Sequence, residues 1–138
     1  MIYLTRCYSL AAAHVLSQPS FSLEENERIF GKCANPGGHG HDYGFEVSVT
    51  GPVEEETGRI IVPGLLDEIF EEVVARRFSH RLLNDEAPFG DLVPTAENIV
   101  RVCHDVLAES IKNRSTARLA QLRVTETPRN FVEQGDIS

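Results

Sequence analysis

Within the stretch GKCANPGGHGHDYGFEVSV, residues 31–49, a thiol at Cys33 is followed by two imidazoles, His39 and His41, with glycines and a proline between them. Neutral imidazoles each carry one acceptor nitrogen that needs a partner, and several together suit a metal such as zinc. A thiol held beside such a cation ionises readily and acts as a base or a nucleophile. A further imidazole, His14, lies upstream. Three histidines with an open fourth position describe a catalytic zinc site. The plainer alternative is that each histidine is hydrogen-bonded separately in its own loop. Gly40, between two of them, lets backbone approach closely.

For these groups to meet, the elements that carry them must end at one place. From Ile2 to His14 alternate residues are apolar (Ile2, Leu4, Tyr8, Leu10, Ala12), with Arg6 the exception, so the segment reads as a strand. Tyr43, Phe45, Val47 and Val49 alternate in the same way after His41. By period two, His14 falls at the far end of the first apolar face, and His39 and His41 at the near end of the second. Antiparallel pairing of these strands brings the three imidazoles together at the rim of the core.

Cys33 lies in a loop and on no apolar stripe, so packing does not explain it. Cys103 sits on a helical apolar stripe and reads as core, and Cys7 has no assignment. Glu126 follows Leu122 and Val124 on what should be a buried strand face, where a carboxylate needs donors. A ring presenting a row of N–H groups, as an amino-pyrimidine does, would satisfy both oxygens. A strand-end Glu turning outward is the other reading. Thr95 and Glu97 are explained by helix-start chemistry, Thr95 as an N-cap.

The remaining elements follow from periodicity. LEENERIF reads as a short helical turn, and GPVEEETGRIIV as a hairpin end with Gly58 at the turn and Ile60–Val62 returning. Leu65, Leu66, Ile69, Phe70, Val73, Val74 and Phe78 mark one amphipathic helix. A second carries Ile99, Val100, Cys103, Val106, Leu107 and Ile111, and a strand over Ala120, Leu122 and Val124 precedes a short tail that can form a last strand. The order predicts an α+β domain, its helices grouped on one face of an antiparallel sheet.

One domain over 1–138 suits the length, and 41% apolar with 25% charged residues is ordinary for a folded protein. A formal net charge of −8 argues against nucleic acid or an anionic membrane as partner. No run approaches a membrane span, and the alanine-rich start lacks the basic leader of a signal peptide. Three cysteines without framework spacing suit reduced thiols in the cytoplasm.

The segments AAAH, FGKCANPGGHGHDYGFEVSVTG, ETGRII, SHRLLN, PTAEN and VTETP, in this order, resemble the 6-pyruvoyl-tetrahydropterin synthase and 6-carboxy-tetrahydropterin synthase family. The spacer ANPGG between Cys33 and the His-Gly-His is more similar to the pyruvoyl branch. The resemblance implies the tunnelling fold: a four-stranded antiparallel sheet with two helices on one face, joined with other copies into a barrel as a trimer or a dimer of trimers. It implies 7,8-dihydroneopterin triphosphate as substrate, with triphosphate eliminated in the pyruvoyl branch; the carboxy branch leads toward queuosine-type bases. By position, His14, His39 and His41 would hold Zn2+, Cys33 would take a proton from carbon, and His80 would serve a neighbouring subunit's site as a second proton-transfer group. Glu126 would anchor the pterin, with Thr95 and Glu97 lining its pocket. The chain departs from the family at Ser79, where an Asp normally precedes the histidine, and at Val62, normally Asp or Asn. The first departure makes a zinc- and pterin-binding protein of low activity a third reading.

Overall fold

The computed structural model of the chain describes residues 1–136, so 137–138, the end of the expected domain, lie outside the described residues. Four strands, β1 (Tyr3–His14), β2 (His39–Thr50), β3 (Arg118–Thr127) and β4 (Asn130–Gly135), form one antiparallel sheet in sequential order. β1 and β2 pair over their whole length, from Tyr3 opposite Thr50 to His14 opposite His39. That register keeps the apolar sets of both strands on one face. It also brings the two strand ends that carry histidines side by side.

Helix α1 (Leu23–Phe30) begins on a capping box between Ser22 and Glu25 and precedes the 3-10 turn (Gly31–Ala34) that holds Cys33. The expected helix over 65–78 is present with an internal irregularity: α2 (Pro63–Phe70) runs through a π-helical segment (Glu71–Ala75) into α3 (Arg76–Phe78). The wider turn keeps Phe70, Val74 and Phe78, each four residues apart, buried on the core side. α4 (Ala96–Arg114) starts at Thr95, whose Oγ1 accepts from the Asn98 N–H at 3.2 Å. Its buried stripe of Ile99, Val100, Cys103, Leu107 and Ile111 joins Leu66, Ile69 and Val74 against Leu10, Tyr43, Phe45, Val47, Val49, Leu122 and Val124 of the sheet. Burial pushes the Cys103 thiol up to about 12, as befits a core residue.

Arg6 breaks the apolar alternation of β1 because its side chain meets a helix, not the core. Its guanidinium donates to both Asp67 carboxylate oxygens, at 3.0 and 2.6 Å, and the Tyr8 hydroxyl donates to the same carboxylate at 2.7 Å. The returning strand expected over Ile60–Val62 does not form. A turn closes between Glu54 and Arg59, and Ile60 and Ile61 are buried as core side chains just before Pro63 starts α2. Proline at the first helical position commits the chain to a helix there, which leaves no length for a strand.

Candidate active site

His14 is fully buried at the end of β1. Its Nδ1 lies 3.0 Å from the Pro94 carbonyl oxygen and 2.9 Å from the Tyr43 hydroxyl. A carbonyl only accepts, so Nδ1 carries the proton and Nε2 the lone pair. That lone pair faces Cys33, whose thiol donates to Nε2 across 3.3 Å. The His41 ring stands edge-on to His14, with centroids 4.8 Å apart, and its Nε2 is buried with no hydrogen-bond partner among the described residues. Ligand atoms of His14, Cys33 and His41 all lie within 4.8 Å of one another.

The elements explain this convergence. His14 and His41 come from facing strand ends, where Ala12 pairs with His41 and His14 with His39. The Cys33 turn is pinned over them by the Leu16 N–H donating to the Cys33 carbonyl at 2.6 Å. Asn84 fixes the chain just beyond His14 by bonding both backbone groups of Val15. His39 also joins the cluster, its ring edge-on to His41 with centroids 4.6 Å apart, but it stands outside the group whose ligand atoms meet most closely. The three imidazoles therefore gather as expected, and the thiol is nearer to two of them than spacing alone indicates.

Glu126 occupies a bulge in β3: Thr125 pairs with Phe131 and Thr127 with Asn130, leaving Glu126 without a partner opposite. Bulges of this kind re-aim a side chain near a site. The half-buried carboxylate acts electrostatically on the cluster. Burial holds the His14 and His41 imidazoles below their ordinary value, and Glu126 opposes this. Burial, then Glu126, pushes the Cys33 thiol up. The same two causes, followed by Cys33, raise the buried Tyr43 phenol well above its ordinary value.

The other expected site residues stand outside the group of closest ligand atoms. His80 is exposed at φ 59°, its N–H donating to Ala11 on the outer edge of β1 at 2.6 Å. It lines, together with His41, a pocket of about 470 Å³ over Ala11, Ala13 and Gly40. Positive φ is costly for a residue with a Cβ and is found where the surrounding structure holds it. Among the described residues, Ser79 makes no side-chain hydrogen bond to His80. Thr95 acts as the α4 cap, and Glu97 is exposed in its first turn. Sequence reasoning missed Pro94 and took Tyr43 only as a core residue. The usable signals were the position of Tyr43 on the His41 face and that of Pro94 in the PTAEN segment.

The model of the family described as 6-pyruvoyl tetrahydropterin synthase matches residues 3–135. A 6-pyruvoyl tetrahydrobiopterin synthase of Poecilia reticulata is 36% identical over 131 residues, spanning 94% of this chain and 87% of its own. A protein of Archaeoglobus fulgidus bearing the provisional name 6-carboxy-5,6,7,8-tetrahydropterin synthase is 37% identical over 102 residues, 74% of this chain and 82% of its own. The structure of the Caenorhabditis elegans 6-pyruvoyl tetrahydropterin synthase matches at a TM-score of 0.87 and 30% identity, over 99% of this chain and 96% of that one. The four-stranded sheet with its helices is thus the tunnelling fold. With family pattern and fold agreeing over almost its full length, the chain belongs to the 6-pyruvoyl tetrahydropterin synthase family.

Proposed function

We propose that the chain is a zinc-dependent lyase of the 6-pyruvoyl-tetrahydropterin synthase type, converting 7,8-dihydroneopterin triphosphate with elimination of triphosphate. The observation that carries this reading is the meeting of His14, His41 and Cys33 within 4.8 Å. The donor set fits zinc: His41 Nε2 is buried without a partner, and the His14 lone pair points into the same space. We assign the metal to His14, His39 and His41, whose rings adjoin one another in turn. When bound, zinc acts as a Lewis acid on the substrate's side-chain oxygens.

Cys33 is then the base. Its Sγ, as thiolate, accepts a proton from carbon; the C–O bond to triphosphate breaks and triphosphate leaves with the electron pair. No external oxidant is needed, because hydrogen is redistributed within the substrate. Glu126 accepts N–H groups of the pterin ring, and Thr95 and Glu97 border the ring's pocket. His80 is the second proton-transfer residue. Bonded to the outer edge of β1 and not part of its own chain's group of His14, Cys33 and His41, we read it as serving a neighbouring copy. This makes the working unit a homo-oligomer, a trimer or a dimer of trimers, of single tunnelling-fold domains spanning 1–138. A net charge of −8 and three unpaired thiols support a cytoplasmic protein without nucleic-acid or membrane partners.

Incubating the zinc-loaded protein with 7,8-dihydroneopterin triphosphate, following triphosphate release and weighing the pterin product, tests the assignment. The pyruvoyl mass is expected. The carboxy mass would transfer the chain to the queuosine-type branch, a reading favoured by the Archaeoglobus relative. Binding without triphosphate release would favour the reading in which Ser79 leaves His80 too weak an acid–base partner.

A further inference from the structure

We propose that Tyr43 is a positioning residue of the metal centre, acting through His14 jointly with the Pro94 carbonyl. The inference rests on the metal reading above and adds what holds its innermost ligand. His14 Nδ1–H is shared by two oxygens, Pro94 O at 3.0 Å and Tyr43 Oη at 2.9 Å. Both meet Nδ1, whereas Cys33 meets Nε2 on the other side of the ring. Together they fix the tautomer and aim Nε2 at the cluster.

Tyr43 is 1% exposed, and its hydroxyl makes no other hydrogen bond among the described residues. Its ring packs edge-on to both His14 and His41, with centroids at 6.2 and 5.5 Å. Packing of this kind would be equally served by phenylalanine, so the hydroxyl is the part that needs an explanation. The Pro94 carbonyl is set by the start of α4: Thr95 caps the helix through Asn98 N–H, and Asn98 Nδ2 donates to Val93 O at 2.9 Å. Part of the PTAEN segment therefore acts through His14. Outer partners of this sort orient a metal-bound imidazole, and their loss typically lowers metal affinity by about 10–100-fold.

The test compares the whole protein with Tyr43→Phe, which keeps the ring and removes only the hydroxyl. Tyr8→Phe, which removes a hydroxyl bonded to Asp67, is the control for a lost phenol elsewhere. Zinc affinity by chelator competition should fall about 10–100-fold in Tyr43→Phe and hold in the control. The visible bands of the cobalt-loaded protein should shift in the first variant only. In the metal-free wild type, long-range nitrogen-15 spectra should show His14 protonated on Nδ1. Unchanged zinc affinity and cobalt bands in a Tyr43→Phe variant that folds would overturn the inference while leaving the metal reading intact. A His14 protonated on Nε2 would overturn it without reference to metal. A wild-type protein that binds neither zinc nor cobalt would overturn both.

Discussion

At the scale of single residues, the site depends on two groups kept uncharged by burial and one carboxylate opposing that. His14 and His41 are held below their ordinary value, so below about pH 6.5 the unfolded chain binds more protons than the folded one. Stability of the metal-free protein is therefore expected to fall as pH drops from about 7.5 to about 5.5. Urea midpoints at the two values check this, and the difference should shrink in His41→Gln; a midpoint that rises at low pH would contradict it. Cys33 is expected to divide binding from chemistry. Cys33→Ala should lower kcat by at least about 100-fold, the usual worth of a positioned base, and leave pterin affinity within about twofold. Titration calorimetry with a non-reacting pterin, set beside the triphosphate assay, separates the two quantities.

At the scale of elements, β1 is fastened to α2 and β4 to β3 by contacts that a hydropathy pattern does not contain. Asp67→Ala would strand the Arg6 guanidinium and the Tyr8 hydroxyl together. Because the ion pair is about two-fifths exposed and screened by water, the expected loss is small, read as a slight fall in the chemical denaturation midpoint. Gly135 is more demanding. A Cβ there would run into the Ala120 carbonyl oxygen and the Gln121 backbone across the β3–β4 pairing. Gly135→Ala should cost about 1–3 kcal/mol, the range for overpacking. Gly64→Ala, in the first turn of α2 with open space around its Cβ position, should stabilise slightly and is the matched control.

At the scale of the whole molecule, His80 stands outside its own chain's group of His14, Cys33 and His41, although it shares a pocket with His41. If an active centre draws that group from one copy and His80 from another, two inactive variants should complement each other. Cys33→Ala and His80→Ala are expected to be inactive alone and to regain measurable triphosphate release after unfolding and refolding together. Sedimentation should give the mass of three or six chains. A monomer, or a mixture as inactive as its parts, would place both groups in one chain and remove the need for a partner.

Much of this was legible in the sequence because periodicity is a property of local geometry. Alternation in β1 and β2 assigned His14, His39 and His41 to one rim, and the helical stripes over 65–78 and 99–111 assigned the core. What the sequence could not contain were decisions made by groups far apart along the chain. Ile60 and Ile61 became core plugs instead of a strand because Pro63 had to open a helix. Arg6 kept its place because Asp67 comes from another element. Cys33 came within 3.3 Å of His14, Glu126 fell at a bulge, and His14 received its tautomer from Pro94, eighty residues away. The imidazole side chains and the strand faces that carry them were determined by sequence alone. The proton on His14 and the neighbours of Cys33 were decided only by tertiary structure, since hydrogen bonds and burial act over ångströms in space, whatever the separation along the chain.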